Sequence, residues 1–189
     1  MSTRIAQIVQ NFIEKYHEIF EGVEELSLEG FENSLVEISN EFCRDSIKLF
    51  VEMNNQVILE QKELRRAKNI SVHKQEVPRE ILTKFGMVEF KRSYFKMDEG
   101  YAYLADKVVG LDSYDRVSGN VAAELVDRAA KMSYQQSVEE TVNGNLSRQT
   151  VMKKIRRTQG FEAKSEGLKK RVEFCTLLPM RIMRQCKAV

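Results

Sequence analysis

Three features of the 189-residue sequence predict a mainly α-helical, α+β fold with a small antiparallel sheet. Apolar residues recur every three or four positions through the first third, the period of an amphipathic helix. Between Arg79 and Leu104 that period gives way to alternating aromatic and β-branched residues, punctuated by Gly86 and by Met97-Asp98-Glu99-Gly100. From Asp115 the helical period returns, with capping residues at the joints.

The first helix is expected over the stripe Ile5, Ile8, Phe12, Tyr16 and Ile19, with Gly22 ending it. A second begins near Ser27 or Gly30 and carries Phe31, Leu35, Ile38, Phe42, Leu49, Met53 and Val57. It is expected to run to about Lys68. Its length and near-heptad spacing suit either packing against the first helix or a coiled-coil contact. Lys84, Lys91 and Arg92 on the strands that follow could touch phosphate, although exposed strand faces are commonly charged for solubility alone. Ser118 is a candidate N-cap, and Val121, Leu125, Val126 and Ala129 form the next stripe. Ser133 and Gln136 have the spacing of a capping box. Val138 and Val142 face inward, and Asn143-Gly144-Asn145 closes that helix. Ser147 caps a last helix with Val151 and Ile155 on one face. The expected organisation is an acidic helical region over 1–70, a sheet over 79–104, a helix-turn-helix over 115–160, and a basic linker and tail over 161–189.

Apolar residues make up 42% of the chain, enough for a core, and charged residues 31%, which suggests exposed helices. The net charge of +2 hides a split. Residues 1–66 hold seven Lys/Arg against thirteen Asp/Glu, and residues 148–171 hold nine against two. A local basic block suggests a polyanionic partner, since phosphate is neutralised locally. Cys43, Cys175 and Cys186 are widely spaced and odd in number, which fits a reducing compartment. Neither these cysteines nor His17 and His73 have metal-ligand spacing, so no cofactor is expected in this chain. Charges interrupt every apolar run of the first twenty residues, as in neither a signal peptide nor a membrane span. A cytoplasmic protein without a membrane partner is the expectation.

The segment Ser133–Arg157 has the layout of a DNA reader: helix, polar turn, second helix, positive charge. Arg148, Gln149 and Thr150 are residue types that bond base edges, and they stand where such a helix enters the major groove. Lys153, Lys154, Arg156 and Arg157 are phosphate-contact types, supplying affinity without sequence information. Double-stranded DNA is therefore the expected partner. Short helix pairs of this spacing also occur in protein-binding trihelical domains.

Four motifs occur in one order: "TKFGMVEFKRSYF", "LDSYDRVS", "MSYQQSVEE" and "SRQTV". In that order they resemble the N-terminal part of the ISLre-type bacterial insertion-sequence transposases, over roughly Arg79 to Arg171. The resemblance implies recognition of transposon-end DNA by this region. It also implies a downstream catalytic domain of RNase-H-like fold, where carboxylates hold divalent metals that activate the attacking oxygen. The chain has no room for that domain, so an inactive, truncated transposase is expected, with no catalytic residues of its own. Asp106, Asp112 and Asp115 are read as caps and surface charge. After Glu173, "FCTLLPMRIMRQCKAV" has no structural period, whereas the family would continue into a strand with acidic residues. A shifted reading frame of suitable codons restores such a strand, so a frameshift near this point is expected. Other readings are a helical oligomerisation protein with no DNA role, and an inactive relic. A homo-oligomer, or a complex with full-length transposase, is a further expectation.

Overall fold

The structure, a computed structural model, describes residues 2–22, 27–142 and 146–159. The chain divides into two compact units, Met1–Ser118 and Gly119–Val189. The first is the α+β part predicted from the sequence, and the second is helical among its described residues.

Unit one opens with α1 (Ser2–Glu21) and α2 (Leu28–Glu60), which pack against each other. Aromatic rings at helical spacing make much of the contact: Phe12 lies 5.0 Å from Phe42, and Phe20 lies edge-on to Phe31 at 5.4 Å. Ser27 caps α2, its hydroxyl accepting from the Gly30 N–H at 3.1 Å and satisfying one free donor of the first turn. The helix expected to reach Lys68 stops earlier. It breaks at Gln61, and α3 (Lys62–Ala67) follows. Arg65 turns back to donate to the Ile58 and Leu59 carbonyls, each at 3.0 Å, so the last turn of α2 is satisfied without continuing.

Strands β1 (Ser71–Thr83), β2 (Gly86–Met97) and β3 (Gly100–Ala102) form an antiparallel sheet in that order. The sheet starts at Ser71 rather than Arg79. Its early part is irregular in register between Val72 and Val77, with Glu76 at positive φ, so the alternation that signals a strand is lost there. Gly86 and Gly100, at φ 107° and 124°, supply the left-handed residues of the two tight hairpins. Thr83 closes the first turn by accepting from the Phe85 N–H and donating to the Gly86 carbonyl.

Because β3 pairs only with Phe95–Met97, the rest of that edge of β2 needs other partners. Helix α2 provides them. Glu52 accepts from the Lys91 N–H and Asn55 from the Ser93 N–H. Three residues of helix rise about 4.5 Å and two of strand about 6.6 Å, close enough for long side chains to match. Val51, Ile81, Val88 and Phe90 form the core between helix and sheet. Short α4 (Leu104–Val108) follows, and the chain then returns to the other edge. There Leu82 donates to the Arg116 carbonyl and accepts from the Ser118 N–H, forming a parallel bridge with Val117.

Unit two holds α5 (Gly119–Lys131), α6 (Tyr134–Val142) and α7 (Arg148–Gln159), each packed on the other two. Among the described residues its apolar core is Val121, Leu125, Ala129, Val138 and Val151.

Candidate nucleic-acid interface

Helix α5 buries Val121, Leu125 and Ala129, spaced by four, and presents charge elsewhere. Arg128 reaches Glu124 on its own helix at 2.8 Å and Glu140 on α6 at 3.4 Å. The capping box expected at α6 forms in full. The Ser133 hydroxyl accepts from the Gln136 N–H, and the Gln136 side chain accepts from the Ser133 N–H. The turn at 143–145 lies outside the described residues, as does the side chain of Val142. Helix α7 begins directly after Ser147, whose carbonyl accepts from the Thr150 N–H at 2.9 Å.

Val151 is fully buried and Ile155 half-buried, so one side of α7 is fixed to the unit. Gln149, Lys153 and Arg156, spaced by four and three, are exposed together, with Arg157 beside them. Arg148 is exposed at the first position, while Thr150 and Lys154 are half-buried at the margin. All seven residues singled out from the sequence thus lie on one helix, five of them exposed. Arg156 and Arg157 fall in its last turn, where positive charge also complements the helix dipole. Among the described residues there is no group of three or more His, Cys, Asp or Glu that could hold a metal, and no helix long and apolar enough to cross a membrane. Cys175, Cys186 and the expected break after Glu173 lie outside the described residues.

The strand charges behave differently from the sequence reading. Lys84 and Lys91 are exposed, but Arg92 is only 7% accessible and cannot serve as a surface phosphate contact. It shares Asp106 with Arg79 in a buried ionic cluster. Asp106, read as cap or surface charge, is 3% accessible. Arg79 donates to it at 2.6 Å and also to the carbonyls of Asp112 and Asp115, both at 2.7 Å. The guanidinium of Arg92 lies 3.5 Å from the centre of the Tyr103 ring. Burial pushes the pKa of both arginines down, that of Arg92 to about 10, with the nearby positive charge of Arg79 adding to the effect. The cluster ties the loop Leu111–Ser118 to β1 and β2. Its signal was present in the sequence: Arg92 continues the alternation of Val88 and Phe90, both buried. The residues "FKRSYF" and "LDSYDRVS" are therefore linked through the fold of unit one.

Residues 22–176 match the model of an uncharacterised protein family, UPF0236. The chain belongs to the UPF0236 family. Two UPF0236 proteins of Caldanaerobacter subterraneus subsp. tengcongensis are 29% identical over 160 residues and 30% identical over 166. These matches cover 82% and 86% of this chain but 34% and 35% of the relatives. The chain spans about a third of the length of the curated relatives it matches. A third UPF0236 protein of that strain, 28% identical over 166 residues (84% of this chain, 35% of its own), has a name joining eleven designations. No solved structure matches the chain. The UPF0236 match takes in α2 to α7, and α1 precedes it.

Proposed function

We propose that this UPF0236 chain binds double-stranded DNA through α7, as the end-recognising part of an ISLre-type insertion-sequence transposase. One observation carries the reading: α7 fixes one face through Val151 and exposes Gln149, Lys153, Arg156 and Arg157 on another. In the helix-turn-helix reading α6 and α7 flank the turn at 143–145, and α7 lies in the major groove. Gln149, with Arg148 and Thr150, then contacts bases, and the lysines and later arginines contact phosphates. The joined designations of one relative from a single genome add support, since a mobile element is expected in many copies. In this reading, metal-dependent strand cutting belongs to the two thirds of the relatives' length outside the match. A reading-frame change after Glu173 belongs to the same proposal, and sequencing the locus for an acidic downstream frame tests it.

The deciding experiment is fluorescence anisotropy of the whole chain with labelled element-end DNA and with scrambled DNA over a salt series. Preference for the end sequence is expected, with affinity falling steeply with added salt, because each counterion released on binding then gains less entropy. Equal binding to both DNAs would remove the recognition role, and no binding at low salt would remove DNA as the partner.

A further inference from the structure

Helix α1 carries two rows of side chains with coiled-coil spacing but packs against one helix. Ile8, Phe12, Lys15 and Ile19, spaced by four, three and four, form the row toward α2, where Phe12 meets Phe42 and Lys15 pairs with Glu41. Val9, Ile13, Tyr16 and Phe20 repeat that spacing one position later, and they remain 40%, 43%, 40% and 46% exposed. A soluble helix normally buries one apolar stripe. Phe20, at the end of this second stripe, also meets Phe31 of α2 and lies against Tyr16, but Val9, Ile13 and the outer faces of both rings leave apolar surface of a kind that marks an interaction site.

Helix α2 supplies an independent observation. Val36, Cys43, Phe50 and Val57 follow at intervals of seven, with Val36 and Phe50 each 59% exposed and Val57 43%. Within this row Cys43 is half-buried, and Val36, Phe50 and Val57 stay exposed while Phe42 and Glu41 meet α1 and Val51, Glu52 and Asn55 meet the sheet.

The flanking residues indicate what covers these rows. Residues 1–66 hold seven basic and thirteen acidic side chains, so two copies repel each other over most of this surface. The rows are exempt. Thr3, Gln10 and His17 border the α1 row on the side away from α2. Ser39, Ser46 and Asn54 border the α2 row. Coiled coils choose unlike partners through charged flanking positions, and uncharged flanks admit an identical helix without like-charge contact. We infer that the α1–α2 hairpin docks on a second copy of this chain through the Val9–Phe20 and Val36–Val57 rows. The contact is hairpin to hairpin and self-complementary, and it is independent of the DNA reading.

Sedimentation equilibrium of the full chain over a concentration series, at low and at high salt, tests it. The expected mass is twice the 21.9 kDa of one chain. Added salt is expected to tighten association, because it screens the acidic hairpins while the seam is uncharged, whereas it weakens DNA binding. Ile13→Glu and Phe50→Glu are each expected to weaken association by roughly tenfold or more, since a charge would be buried in the seam. Circular dichroism reports whether the variants keep their helices, and Ile13→Ala, which favours helix, gives a second reading if a glutamate variant unfolds. A 21.9 kDa monomer under all conditions would overturn the inference. So would folded Ile13→Ala and Phe50→Glu variants that associate like wild type.

Discussion

Arginine is used in opposite ways in the two units. In Met1–Ser118, Arg79 and Arg92 are withdrawn from solvent, converge on Asp106 and hold a loop to the sheet. In Gly119–Val189, Arg148, Arg156 and Arg157 stand on the exposed sides of α7. The difference follows from what each side chain can reach. Arg79 and Arg92 lie on strands whose alternate positions enter the core, so their charge must be met by a buried carboxylate, backbone carbonyls and an aromatic ring. The α7 arginines lie on a helix that needs only one buried stripe, which Val151 and Ile155 provide. A charged residue type therefore indicates a binding surface only after the periodicity of its element has been considered.

The comparison breaks first at Asp106. Asp106→Ala removes the buried carboxylate that the Arg79 and Arg92 guanidiniums share and is expected to cost about 3–5 kcal/mol in chemical denaturation. An effect below about 1 kcal/mol would mean that the arginines find water, and that the cluster does not hold the loop to the sheet. Removing Arg92 should cost less than removing Arg79. Arg92→Met leaves one arginine facing one carboxylate and relieves a desolvated charge, whereas Arg79→Met also strips the Asp112 and Asp115 carbonyls of their donor. The two denaturation midpoints give that ranking directly.

Smaller effects belong to unit two. Ser133→Ala removes the capping box of α6 and is expected to cost about 1 kcal/mol, read as a lower thermal midpoint. Lys153→Ala and Arg156→Ala should leave stability within about 0.5 kcal/mol of wild type. If α7 meets DNA as proposed, each lowers affinity for all sequences and flattens the salt dependence by about one counterion. Gln149→Ala would instead change the preference between sequences. A stability loss well above 0.5 kcal/mol in Lys153→Ala would place that side chain on the structural side of the comparison.

Some of this was legible without a structure. The helical stripes of α1, α2 and α5, the hairpin turn at Gly86 and the capping box at Ser133 are encoded within a few residues of where they act. The seven candidate residues of α7 could be assigned to one helix because the period of Val151 and Ile155 fixes which sides remain for them. Other features depend on contacts between distant parts of the chain. The break at Gln61 exists because Arg65 can satisfy the end of α2. The first part of β1 was missed because its irregular register erases the alternation by which strands are recognised.

Period and capping, which are local, determined from sequence alone that helices precede and follow a β-hairpin, and that the chain carries an acidic start and a basic helix. Tertiary structure decided which charges are buried, because burial depends on what the chain brings opposite a side chain. Asp106 comes to face Arg79 and Arg92 only once the sheet, α4 and the Leu111–Ser118 loop have closed around it.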